Sequence, residues 1–387
     1  MPNEISRRTL LQRGAAAASF ATIGGWERAF GALGTPPQGE EVIAWTDVPA
    51  NFNPRGALDS RTLDASSFIT PNESFYLVQH YGTPQVDAAN YRLKLTGLFN
   101  KPLELTLDEL KKRPRFEQIV GFECGGNSNA SLNRLAGNAR WTGTRLRDLL
   151  RDAGLDRTAH EVVFFGADKG METVTHGRGG PQEVEQHFGR SLTPDDAMRP
   201  EVIIAWEMNG VPLPPIHGFP VRLVVPGWYG VANVKWMDHI HAQDSRYVGR
   251  FMSRDYVTLK GEQVGDKTIW NESLVARIRV KSMVARLTRS GTRYTAHGFA
   301  LAGALPFRSI EVRVDDGPWQ RAKLHSANTE HSWQLFTHQW SGLAAGEHTI
   351  VSRATDANGV LQPEQSALAE KKTMWENNGQ FVRKFTV

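Results

Sequence analysis

The sequence predicts two folded regions of different class: an α+β domain over residues 65–245 and an all-β sandwich of immunoglobulin type over 270–387. Two observations carry this prediction. Short β-like runs alternate with helical signals up to about residue 245, the texture of a mixed domain. Beyond about 270, strand-length apolar runs separated by turn dipeptides take over. Residues 246–269 read as a linker, 35–64 as an extended lead-in rich in Pro, Gly and Asn, and 1–34 as a leader. A chain of 387 residues is long enough for each folded region to bury its own core.

Individual elements follow from local chemistry. Thr106-Leu107-Asp108-Glu109 is a capping box, in which the Thr106 and Glu109 side chains satisfy amides that a helix start leaves open. The helix runs through Lys112 and is stopped by Pro114. A second helix begins after Thr144. Leu146, Leu149, Leu150 and Ala153 recur on one helical face, and Gly154 stands where a left-handed C-cap belongs. Val221 to Val225 is an apolar strand ended by Pro226-Gly227. In the last third, Arg277–Val280, Ile310–Val314 and His348–Val351 read as strands, with Asp315-Asp316-Gly317 and Asn358-Gly359 as turns.

The N-terminus reads Ser6-Arg7-Arg8-Thr9-Leu10-Leu11, followed by a weakly apolar, alanine-rich run from Gly14 to Gly25. An arginine pair, an apolar residue shortly after it and a mild hydrophobic segment form the twin-arginine export pattern, with cleavage expected near Ala29–Gly34. That route carries folded proteins, so the leader predicts a periplasmic protein loaded with its cofactor before export. No apolar run reaches the roughly 18 residues of a membrane-spanning helix. The net charge is +4, but four arginines against two glutamates in residues 1–34 account for half of it. The remainder is too small for a nucleic-acid footprint, and no basic stripe interleaved with aromatics occurs.

Cys124 is the one cysteine. It excludes an intrachain disulfide, a C-x-x-C-H haem attachment and an all-cysteine metal site. It follows the apolar pair Ile119-Val120 in Gly121-Phe122-Glu123-Cys124-Gly125-Gly126-Asn127-Ser128, where two glycines allow close backbone approach to a ligand. A thiolate suits a soft metal centre, although an isolated cysteine in such a strand also reads as a small core residue. A second segment runs His217-Gly218-Phe219-Pro220-Val221-Arg222, then Pro226-Gly227-Trp228-Tyr229-Gly230, to Asn233-Val234-Lys235-Trp236. Loop amides beside one Arg and one Lys can cradle a phosphate; a hairpin with surface charges fits the same spacing.

Together, Cys124-Gly125-Gly126-Asn127, Arg140-Trp141-Thr142-Gly143, Trp206-Glu207-Met208-Asn209-Gly210 and the run from His217 to Trp236 resemble the sulfite oxidase family, in order and in separation. The resemblance covers about 65–387. It implies a molybdopterin-binding catalytic domain followed by an immunoglobulin-like dimerisation domain. It also implies a single pyranopterin dithiolene carrying an oxo-molybdenum centre, with Cys124 as the protein's metal ligand. Pterin contacts carried over by motif are His80, Asp168, His217, Arg222 and Lys235, with backbone groups around Asn233. Tyr256, in Ser253-Arg254-Asp255-Tyr256, takes the place of a family tyrosine that hydrogen-bonds near the metal. The implied reaction is oxidation of sulfite or a related sulfur compound. With no haem motif in the chain, its electrons are expected to leave to a separate c-type cytochrome, and the protein to act as a homodimer.

One family feature is replaced. True sulfite oxidases surround the anion with arginines, whose forked donors fit oxyanions. The position two residues before His80 is Val78, the tail of the cysteine motif reads Ser128-Asn129, and the C-terminal stretch reads Lys371-Lys372-Thr373-Met374-Trp375. Arg134, Arg140 and Arg178 are the candidate substitutes. Rival expectations are therefore oxidation of protein-bound sulfane sulfur, sulfoxide reduction, and a non-enzymatic exported binding module.

Overall fold

The capping box forms as the sequence requires: the Thr106 hydroxyl accepts from the Glu109 amide, and the Glu109 carboxylate accepts from the Thr106 amide. The helix Leu107–Lys111 follows, with Leu107 and Leu110 turned into the core. Leu146–Ala153 is the second helix. Its four buried residues are the predicted Leu146, Leu149, Leu150 and Ala153, and Gly154 caps it at φ +67°. These elements belong to a computed structural model that describes residues 39–48, 56, 58, 63, 66–175, 179–303 and 306–387. The expected leader, most of the lead-in and Arg178 lie outside the described residues.

Helices are fewer than a mixed domain suggests, and sheets dominate. Two five-stranded sheets build the region that carries the sequence motifs. One orders Arg222–Val224, Ile203–Met208, Ala136–Arg145 and Phe116–Glu123, all antiparallel, with Val211–Pro212 added beside Ile203–Met208. The other orders Leu103–Thr106, Arg92–Gly97, Met237–Gln243, Glu161–Val174 and Gln182–Leu192. Within it Met237–Gln243 runs parallel to Arg92–Gly97. The first sheet delivers Cys124 from the end of Phe116–Glu123, and Arg222 opens its edge strand.

The last third forms two further sheets. Glu41–Ile43, Lys281–Ser290, Arg293–Leu301, Gln334–Ser341 and Lys323–Leu324 make one; Gln320–Arg321, Phe307–Val314, Glu347–Asp356 and Arg383–Thr386 make the other. Alternation along Phe307–Val314 buries Ile310 and Val312, which join Val284, Leu287, Ala296 and Phe336 of the other sheet in one cluster, so the two sheets share a core of their own. Ile310–Val314 and His348–Val351 are strands as predicted. Arg277–Val280 is not. Its residues bond to the turn at Gly227–Tyr229 instead, with Ile278 N–H donating to the Gly227 carbonyl and Ala276 accepting from Tyr229, and Ile278 joins the catalytic-side core. The stretch read as a linker is also structured. It holds the helix Arg250–Ser253 and the strand Val257–Val264, which pairs with Lys267–Leu274. Among the described residues, no helix is long and apolar enough to cross a membrane.

Candidate active site

Cys124, Tyr256, His80, Asp168, His217, Arg222, Asn233 and Lys235 all line one cavity. They arrive from five separate stretches of chain, and the fold brings every predicted site residue to the same cavity. Tyr76, Leu77, Val78, Phe122 and Phe188 complete the apolar part of the lining.

The polar end is pinned by backbone carbonyls. Arg222 is buried and donates through Nη1 to the His217 carbonyl at 2.9 Å and through Nη2 to the Asn233 carbonyl at 3.0 Å. Its guanidinium also lies 4.8 Å from the Trp141 ring. Lys235 Nζ donates to the Ile216 carbonyl at 3.1 Å and sits over Trp236. Asn233 accepts from the Val225 amide through its side chain and donates to the Tyr229 carbonyl. The carbonyl of Asn72 can only accept, so its 2.9 Å contact fixes the proton of His217 on Nε2 and leaves Nδ1 as the acceptor. Gly166 matters here because a Cβ would come 2.4 Å from Asp168 Oδ1. Only glycine leaves room for that carboxylate.

Burial sets the protonation of this end. It lowers His217 to about 4, Lys235 to about 7 and Arg222 to about 10, and raises Asp168 to about 6. His217 is therefore a neutral imidazole at physiological pH, while Arg222 keeps its charge.

At the other end Cys124 is buried, and burial pushes its thiol up to about 11. An unligated Cys124 is thus a thiol at neutral pH, and a metal has to displace the proton. Tyr256 Oη lies 2.9 Å from His80 Nε2. The His80 ring keeps solvent access but packs against Phe188 and Phe251, and the solvation lost to these rings lowers it to about 4. Burial also raises Tyr256 well above the ordinary phenol range, so its hydroxyl stays protonated. Arg222 and Lys235 are the cations among the described lining residues, and both lie at the polar end.

The candidate replacement arginines stand elsewhere. Arg134 donates to the Leu58 carbonyl, and Arg140 pairs with Glu117 at 3.4 Å on the surface. Neither lines the cavity. Val78 does, whereas Asn129 is turned to Asn133 and Gln365.

Comparison with known proteins decides the family. Residues 80–251 match the oxidoreductase molybdopterin binding domain. The chain is 31% identical over 330 residues to mitochondrial sulfite oxidase of Homo sapiens and 29% identical over 366 residues to that of Drosophila melanogaster. These matches cover 78% and 86% of this chain but only 58% and 62% of the relatives, so the chain spans less than two thirds of their length. Sulfite oxidase of Arabidopsis thaliana is 27% identical, with 85% of this chain and 90% of that protein matched. The chain belongs to the sulfite oxidase family of molybdopterin oxidoreductases. The fold is also that of the sulfane dehydrogenase SoxCD from Paracoccus pantotrophus, with a TM-score of 0.72 at 22% identity over 96% of this chain and 94% of that one.

As a sulfite oxidase family member the chain should offer a pterin partners it lacks internally, and it does. Among the described residues, Asp168 Oδ1 and Arg222 Nε are buried with no hydrogen-bond partner. An unmet acceptor and an unmet donor, with the Lys235 ammonium close by, suit a heterocycle with polar edges and a phosphate tail. The opposite end offers one cysteine sulfur, so a metal held there would need its remaining ligands from outside the chain.

Sequence reasoning missed three contributors. Phe122 is a wall that lay inside the cysteine motif but carried no chemistry of its own, and Tyr76 lay two residues before Val78 without a signal. Trp375 stacks on Tyr256 with ring centroids 4.3 Å apart, from a stretch read only as a possible arginine site. A Cβ on Gly126 would meet Met374 Cε at 3.1 Å and Trp375 at 3.2 Å, so its missing side chain also admits a neighbouring segment.

Proposed function

We propose that this protein is a periplasmic molybdenum-dependent oxidoreductase, exported by the twin-arginine route, that oxidises sulfite or a related sulfur compound and passes the electrons to a separate c-type cytochrome. The observation that carries this reading is the convergence of Cys124 and Tyr256 with His80, Asp168, His217, Arg222, Asn233 and Lys235 on one cavity. When bound, the molybdenum cofactor supplies two-electron oxygen-transfer chemistry. Arg222, Lys235, Asp168 and His217 hold the pterin, and Cys124 ligates the metal. Tyr256, kept protonated and within hydrogen-bond reach of neutral His80, donates to an oxygen at the reacting centre. Phe122 and Phe188 keep water from the same wall. The two-sheet C-terminal region is of immunoglobulin type and serves dimerisation.

A second reading, oxidation of sulfur carried on a protein, is favoured by one feature. The described lining offers no arginine or lysine at the Cys124 end, where an anion such as sulfite needs one. The test is sulfite-dependent reduction of cytochrome c by molybdenum-loaded protein. Rapid turnover at low sulfite supports sulfite as the substrate. Loaded protein that does not turn over sulfite excludes it and leaves the protein-bound substrate.

A further inference from the structure

Immediately before the cysteine, Glu123 is buried, with its side chain 2% exposed. It is paired with Lys281, whose side chain is 6% exposed and whose Nζ lies 2.7 Å from Glu123 Oε1. Lys281 is the first residue of Lys281–Ser290, so the cation comes from the C-terminal sheets. Its ammonium also donates to the Asn127 carbonyl at 3.1 Å, and Asn127 Nδ2 donates back to Glu123 Oε1 at 3.0 Å. The two residues that flank the Cys124-Gly125-Gly126 turn are thus tied to a single lysine.

The tie continues through the loop. Asn127 N–H donates to the Cys124 carbonyl, and Cys124 N–H donates to the Leu135 carbonyl, both at 2.9 Å. The Asn127 side-chain oxygen accepts from the Leu135 amide and the Ser131 hydroxyl, each at 3.0 Å. From the same C-terminal region, Glu376 N–H donates to the Gly125 carbonyl at 2.7 Å. A buried ion pair is a costly way to join two domains, because desolvation consumes most of its attraction. Here the geometry is also incomplete: Glu123 Oε2 is buried without a partner among the described residues. Adhesion alone does not call for such a pair directly behind the cysteine.

We infer that Lys281 is a positioning residue for the cysteine ligand, reaching from the C-terminal region to hold the Cys124 turn through Glu123 and Asn127. The inference rests on Cys124 ligating the metal. It makes the second domain part of the active centre as well as a packing partner. Lys281 touches neither pterin nor substrate; it acts by fixing where the sulfur stands.

The test uses the molybdenum-loaded full chain and the electron paramagnetic resonance signal of the metal after one-electron chemical reduction, which needs no substrate. Lys281→Met alone is expected to fold poorly, since it strands the Glu123 charge. The double variant Glu123→Gln/Lys281→Met removes both charges and should fold and keep its pterin. Its resonance signal is expected to shift or its molybdenum to be lost, and kcat to fall roughly ten- to hundredfold with little change in KM, the scale of a small misplacement. Lys281→Arg should shift the signal less. Arg277→Ala, which breaks the contact with Asp196 on the other half at 2.6 Å, should leave the signal unchanged. A folded, loaded double variant with the wild-type signal overturns the inference. Should that variant not fold, an unchanged signal in Lys281→Arg overturns it. Cys124→Ser tests the ligand separately: if it alters the signal while the double variant does not, the ligand stands and the role of Lys281 falls.

Discussion

The two ends of the cavity are built on different principles. At the polar end, His217, Arg222, Asn233 and Lys235 come from one short stretch, and their side chains bond chiefly to carbonyls of that same stretch. At the cysteine end, Val78, Cys124 and Tyr256 come from distant segments, and the C-terminal region holds the Cys124 turn and Tyr256 through Lys281, Glu376 and Trp375. A strand and loop that supply most of their own partners would hold a bound pterin with little contribution from the substrate side. A composite wall lets the substrate side vary without disturbing the cofactor side. Val78 in place of a family arginine, beside an intact His217–Trp236 run, is the result expected of that division.

The sharpest way to break the comparison is at the metal ligand. Cys124→Ser should abolish turnover while released pterin, assayed by its fluorescence, stays near the wild-type amount; loss of pterin as well would mean the two ends are not independent. Next comes Arg222→Met. It strips the donors from two buried carbonyls and removes a charge, a cost of about 1.5–3 kcal/mol for each charge-assisted bond. Purified protein should then hold at least tenfold less pterin, and retention at the wild-type level would remove Arg222 from the cofactor site.

A smaller effect reads the polar end by pH; His80 at the other end is also lowered to about 4 and adds in the same direction. The folded His217 is held near 4 against 6.5 when free, so between those values the unfolded chain binds a proton that the folded chain refuses. Its contribution is fully present above pH 6.5 and is lost towards pH 4, by about 1.4 kcal/mol per pH unit. Asp168 works the other way, since its folded value near 6 gives the folded chain the extra proton as pH falls. His217→Asn should flatten the fall in denaturation midpoint between pH 6.5 and 4.5; an unchanged slope would mean that His217 is not the group responsible. The smallest expected effect sharpens the substrate side. Val78→Arg places a cation at the apolar end, and about 1.5–3 kcal/mol of new charge-assisted contact would lower the KM for sulfite by roughly tenfold or more. No change in KM would place sulfite binding elsewhere.

Local signals proved most legible where a few neighbouring residues decide the structure. The box at Thr106–Glu109, the apolar face from Leu146 to Ala153 and the Gly154 cap all rest on contacts within a turn or two. Arg277–Val280 has the pattern of a strand, but it meets the Gly227–Tyr229 turn, which takes its hydrogen bonds and leaves it a single bridge between Arg277 and Trp228. The eight site residues were legible because motifs recorded them, not because the chain shows that they meet. Lys281 carried no signal at all: a lysine at a strand start ordinarily points to water, and only the packing of the two halves makes it a buried partner of Glu123.

By itself, then, the sequence determined the single cysteine, its place before two glycines and the valine at position 78. Residue identity and short-range spacing suffice for those. Tertiary structure alone decided that His80, Tyr256 and Trp375 come together near Cys124, and that a lysine from the C-terminal sheets stands behind it. Those contacts join residues more than a hundred positions apart, where no local periodicity reaches and only the buried cores of the folded chain hold them in place.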